Sequence, residues 1–106
     1  MFARSVSIRL KPNSVAELNR LIETEALPLL RKQKGFQDEI TLVAPNGTDA
    51  VAISLWHQKE NADAYSRDAY PGLLKNLAKV VEGTPQVQTY EVASSTAHKL
   101  AAHVTA

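Results

Sequence analysis

Residues 55–65 read LWHQKENADAY and bring Trp56, His57 and Tyr65 into one short stretch. Trp56 is the only tryptophan of the chain. An indole here can wall a ligand cavity, an imidazole can take a proton near neutral pH, and a phenol can orient a polar ligand atom. The same three residues also suit a strand end, a solvated corner and the first buried residue of a helix. Tyr70 is five residues beyond Tyr65, about 140° away around a regular helix, so the two cannot both face one pocket fully. Tyr65 aligns with Ala69 and Leu73 and is the better pocket candidate. Arg4 and Arg9 fall on opposite sides of an alternating strand. A buried arginine needs a carboxylate, either from the chain, with Glu91 in reach, or from an anionic ligand. The candidate pocket set is Trp56, Tyr65, His57 and Arg9, and no residue type singles out a catalytic group.

Other chemistries lose support. The chain has no cysteine, which removes disulfides, thiolate metal sites and a thiol nucleophile together. His98 and His103 are five apart, whereas a metal-binding pair on a helix prefers three or four. No metal is therefore expected. With 106 residues and a net charge of +1, a single domain is expected and nucleic acid is not. Arg31, Lys32 and Lys34 are the one tight basic group, placed where cations suit a helix C-terminus. MFARSVSIRL lacks the apolar core of a secretion signal, and no stretch reaches membrane-spanning length. A cytoplasmic location is the expectation.

The elements that must position these residues follow from periodicity. FARSVSIRL alternates, with Phe2, Arg4, Val6, Ile8 and Leu10 on one side, which is the pattern of a half-buried strand. KPNS ends it, and Ser14 with Glu17 spells a capping box. Val15, Leu18, Leu21, Ile22, Leu29 and Leu30 form a helical stripe, which Pro28 must kink or divide. Gly35 is the expected residue just past the helix end. FQDEITLV, a turn at Pro45-Asn46-Gly47, and DAVAISLW predict an antiparallel hairpin. A second helix starts near Lys59–Asn61 and carries Tyr65, Ala69, Leu73, Leu74 and Leu77, broken at Pro71-Gly72. Gly83-Thr84-Pro85 closes it, and Pro85 to Ser94 is the fourth expected strand. Residues 1–94 make up the domain. Residues 95–106 form a tail in which Ser95 or Thr96 can cap a short helix packing on a partner subunit.

The order β-α-β-β-α-β is the split arrangement of ferredoxin-like α+β domains: four antiparallel strands with two helices on one face. The third strand is apolar on both sides, with Ala50, Ala52 and Trp56 against Val51, Ile53 and Leu55. One side must meet the helices. The simplest cover for the other is the same face of a second copy, which predicts a homodimer.

The runs EALPLLRKQKGF, SLW, DAYSRDAY and GTPQVQTYEV resemble the antibiotic biosynthesis monooxygenase superfamily over nearly the whole chain. The resemblance implies a ferredoxin-like fold paired into a dimeric α/β barrel. It also implies cofactor-independent oxidation of a small aromatic or quinol-like substrate that itself activates oxygen, in a pocket between sheet and helices. The alternative is a non-catalytic dimeric module that binds a small ligand or serves a structural role. Haem-degrading relatives use an Asn on the first strand and a Trp and a His on the second long helix. At those places this chain has Val6 or Ser7, Tyr65, and Leu74 or Lys75. With no imidazole on that helix to ligate iron, haem degradation loses support and no cofactor is expected.

Overall fold

The computed structural model describes residues 1–98. The first strand, β1 (Phe2–Leu10), lies in the middle of a four-stranded sheet. Its neighbours are β3 (Asp49–Trp56) and β4 (Val81–Glu91), and β2 (Phe36–Val43) lies beyond β3. All three pairings are antiparallel. Against one face pack α1 (Val15–Leu21), a π-helical turn (Ile22–Ala26), α2 (Leu27–Arg31), α3 (Lys59–Asp68) and α4 (Tyr70–Leu77). This is the expected ferredoxin-like α+β domain, with β1 buried along Arg4, Val6, Ile8 and Leu10.

The helix breaks have local causes. Pro28 has no N–H, so the α-helical ladder cannot run through it. The chain responds one turn earlier: the Leu27 N–H reaches back five residues to the Ile22 carbonyl, opening a π turn before α2 resumes. In the second helical region Ala69 sits at φ −114° between α3 and α4, and Pro71 falls in the first turn of α4, where a missing N–H costs nothing.

Three sequence expectations are corrected. The Ser14–Glu17 capping box does not form. Asn13 adopts φ +60° and Ser14 leaves the extended region a capping residue needs. The Ser14 hydroxyl donates instead to the Pro12 carbonyl, and Glu17 pairs with Arg20 at 2.7 Å. A capping box forms at α3, between Gln58 and Asn61. Gly35 is not the residue after the helix end; α2 caps at Lys32, and Gly35 at φ +80° opens β2. A Cβ there would lie 2.1 Å from Asn61 Oδ1, so the glycine serves the capping box as well as the turn. Finally, β4 begins at Val81 rather than Pro85. Its register against β1 slips between Ser7–Gln86 and Arg9–Glu82. Gly83 at φ +70° takes up that slip, and Pro85 is tolerated because β4 is an edge strand.

The helix-side core divides in two. Val6, Ile8, Leu10, Leu18, Leu21, Leu73 and Leu77 form one cluster, and Leu30, Trp56, Ala62 and Tyr65 the other. The opposite sheet face carries Val51, Ile53 and Leu55 together with Ile40 and Leu42, which are 52% and 53% exposed. From the β4 edge the chain continues to His98, which meets Asp38 of β2. Ser95 Oγ accepts the amides of Ala97 and His98 at 3.0 Å. The rest of the expected tail helix, including Leu100 and His103, falls outside the described residues.

Candidate functional site

Between the two core clusters, on the helix side of β1, lies Arg4, only 2% exposed. Burying a guanidinium is expensive unless its charge and donors are answered. Here Nε donates to Ser66 Oγ at 2.6 Å, and the cation lies 4.1 Å from the centre of the Tyr70 ring and 5.2 Å from that of Tyr65. Cation–π contacts of this kind are stronger when desolvated. Among the described residues Arg4 forms no ion pair. Burial lowers its pKa, opposed by the two tyrosines. Glu91 does not supply the expected carboxylate, because Arg4 lies opposite Thr89 while Glu91 is exposed at the strand end beside Phe2.

Arg4 opens onto a cavity between sheet and helices of about 40 Å³, room for roughly three waters. Its walls are largely apolar, with Val6, Ile8, Leu30, Leu73 and Leu77 among them. Its titratable lining groups are Arg4, Glu39, Tyr65 and Tyr70. Ile22 and Ala26 bring the π turn into the wall, and π turns frequently mark functional sites. The Tyr65 hydroxyl is pushed up to about 12 by burial, against the opposing pull of Arg4. Glu39 is half-buried and also raised, again chiefly by desolvation, while Thr41 Oγ1 donates to it at 2.6 Å.

The LWHQKENADAY corner is packed rather than open. Trp56 is fully buried, its ring centre 5.2 Å from Tyr65 and 5.6 Å from Phe36. Its indole N–H donates to Ser54 Oγ at 2.8 Å. Trp56 backs Tyr65 from the far side and does not line the cavity. His57 is exposed past the strand end, its amide donating to the Gly35 carbonyl at 2.7 Å. Arg9 faces the opposite side of the sheet, 3.5 Å from Asp49 and exposed. Of the four residues expected at a pocket, Tyr65 alone reaches this cavity.

Three lining residues fall outside that expectation, each for a physical reason. Tyr70 joins Tyr65, with ring centres 6.2 Å apart, because the helix breaks at Ala69 and the 140° of a continuous helix no longer applies. Arg4 replaces Arg9 because the Phe2–Leu10 stripe is the helix side. Glu39 turns inward because of a bulge: Phe36 opposes Trp56, but Asp38 opposes Leu55 and Glu39 opposes Ser54. Simple alternation from Phe36 would have sent Glu39 to the other face. With Gln37 and Asp38 before it and Ile40 after it, Glu39 carries no sequence signal that it points inward.

No family model matches the sequence, and no curated protein sequence does. Solved structures match in shape. The ActVA-Orf6 monooxygenase of Streptomyces coelicolor, solved in complex with the ligand nanaomycin D, superposes with a TM-score of 0.75 at 17% identity, over 89% of this chain and 88% of that one. SnoaB of Streptomyces nogalater, a cofactor-independent oxygenase, gives 0.72 at 14% identity over 92% and 97%. A provisionally named antibiotic biosynthesis monooxygenase from Bordetella bronchiseptica gives 0.73 at 16% identity over 86% and 95%. The chain therefore has the fold of the antibiotic biosynthesis monooxygenases, as its sequence resemblance implied.

Proposed function

We propose that this chain is a cofactor-independent monooxygenase that oxidises a small aromatic or quinol-like substrate in the cavity beneath Arg4. The observation that carries this reading is a buried guanidinium with two tyrosine rings, one serine and, among the described residues, no carboxylate partner, facing an apolar space. A cation in that state favours a ligand that brings its own negative charge. A phenol that ionises there becomes electron-rich enough to reduce oxygen directly. The overall change is phenol plus dioxygen to quinone plus water. One oxygen atom enters the ring and the other leaves as water with two substrate hydrogens. Arg4 holds the oxyanion, Tyr65 and Tyr70 wall the ring, and Trp56 holds Tyr65 in place. His57 and Arg9 stand apart from this constellation.

The cavity of about 40 Å³ is far smaller than an ordinary ligand pocket of about 300–1,000 Å³, so a substrate must widen it. The π turn beside Ile22 and Ala26 is the wall suited to move, since its backbone bonds already depart from the α-helical ladder. The same small volume favours a second reading, a non-catalytic dimeric module that binds a small ligand or serves a structural role. In both readings a second copy covers the exposed apolar face of Ile40, Leu42, Val51, Ile53 and Leu55.

Oxygen uptake with a panel of hydroquinones and naphthols separates the two. The oxygenase reading expects turnover that Arg4→Met lowers by about a hundredfold or more, the scale of losing one oxyanion-stabilising donor. Turnover unaffected by Arg4→Met, or no uptake across the panel, sinks it in favour of the second reading.

A further inference from the structure

A guanidinium stabilises a phenolate but cannot take the phenol's proton, so the cavity needs a base. Glu39, Ser54 and Arg4 occupy one row across β2, β3 and β1: Glu39 opposes Ser54, and Ser54 opposes Arg4. Directly opposed residues point to the same side of a sheet, and all three line the cavity. Two strand spacings of about 4.8 Å separate the acid's strand from the arginine's, and among the described residues no ion pair closes the gap. A single hydroxyl oxygen placed above Ser54 is thus bracketed by a carboxylate on one side and a guanidinium on the other.

We infer that Glu39 is the general base of this cavity, accepting the hydroxyl proton of a phenolic substrate whose oxygen Arg4 then holds as the anion. The step breaks the substrate O–H bond and forms a carboxyl O–H on Glu39. The electron pair stays on the phenolic oxygen, and dioxygen is the oxidant that follows. The neutral acid then returns the proton to the departing oxygen, which leaves as water together with the hydrogen lost from the ring carbon that becomes the new carbonyl. A base in this role works best when its pKa sits nearer neutrality than that of a free carboxylate, the direction in which burial moves Glu39. The charged or titratable groups facing it are Arg4 from β1, Tyr65 from α3 and Tyr70 from α4; Ile22, Ala26 and Leu30 present only apolar surface.

The inference rests on the cavity being a phenol site, so its test uses binding as well as turnover. Para-nitrophenolate is titrated into the full-length protein at a pH where the free probe is ionised, by calorimetry in buffers of differing ionisation enthalpy. Absorbance reports whether the bound probe stays ionised. Wild type is expected to take up about one proton per site, because Glu39 must neutralise beside the incoming anion. Glu39→Gln is expected to bind the probe with no uptake. In oxygen uptake, Glu39→Gln is expected to lose about a hundredfold on weakly acidic phenols and far less on phenols already ionised in solution.

Equal proton uptake in wild type and Glu39→Gln overturns the assignment of Glu39 and leaves the oxygenase reading standing if turnover persists. Uptake that depends on Glu39 without oxygen consumption supports Glu39 as the proton acceptor and sinks the oxygenase reading. Absence of probe binding to wild type overturns both. Circular dichroism of Glu39→Gln checks that the fold is intact.

Discussion

The helix side of the sheet has two ends that treat their polar groups in opposite ways. At one end Phe36 meets Trp56 edge to face, Trp56 lies tilted against Tyr65, and the lone polar atom of the indole is satisfied by Ser54. At the other, Arg4 keeps its charge among two tyrosines and leaves a small void beside it. Tyr65 belongs to both ends, with one face against the tryptophan and the other toward the cation. Rings without charge can be packed to crystal-like density. A buried cation resists this, because every apolar atom pressed against it adds desolvation with no return. The tryptophan thus marks the solid part of the core, and the arginine marks the open part.

Truncating the tryptophan strikes the solid end hardest. Trp56→Ala removes a fully buried ring that holds Phe36 and Tyr65 in place, and should cost about 3–5 kcal/mol. Urea unfolding followed by circular dichroism measures it. Tyr65 should then lose its orientation toward Arg4, so any turnover should fall along with stability. A loss under about 1 kcal/mol would mean that the aromatic end does not anchor the core.

Sequence periodicity made the strands, helices and hairpin legible because each repeats a pattern over many residues. The apolar stripes of β1 and α1 survive any small error in their boundaries. The cavity was less legible, because three local departures from regularity build it. The break at Ala69 brings Tyr70 round to Tyr65, the bulge after Phe36 turns Glu39 inward, and the π turn before Pro28 sets Ile22 and Ala26 in the wall. Pro71 and Pro28 announced two of these departures, but a proline says that a helix breaks and not where the next side chain will point. Nothing in FQDEITLV announces the bulge. The residue types at LWHQKENADAY drew attention to a corner where Trp56 and Tyr65 leave no space between them.

A smaller effect sharpens the shared role of Tyr65. Its hydroxyl is raised from an ordinary value of 10 to about 12, mainly by burial. The folded state therefore holds the proton more tightly than the unfolded chain. The resulting stability is fully present below pH 10 and is lost as pH rises through 12. Two units correspond to about 2–3 kcal/mol at most. The difference in unfolding free energy between wild type and Tyr65→Phe should be constant from pH 7 to 9 and then shift toward the phenylalanine variant between pH 10 and 12. Parallel curves across that window would mean that the hydroxyl is hydrated in the folded protein.

The smallest effect on stability tests the open end most directly. Arg4→Met keeps much of the side-chain length, removes the charge and frees Ser66, which is only half-buried and can turn to water. Replacing a buried charge by an apolar side chain of similar size is often neutral or stabilising, so the variant should match wild type or gain about 1 kcal/mol. Tyr70, released from the cation at 4.1 Å, loses one cation–π contact, which trims the gain. A protein that becomes no less stable while losing phenolate binding keeps Arg4 for its ligand and not for its fold. A loss of several kcal/mol would place Arg4 among the structural residues instead, a cation whose tyrosine and serine partners already answer its charge.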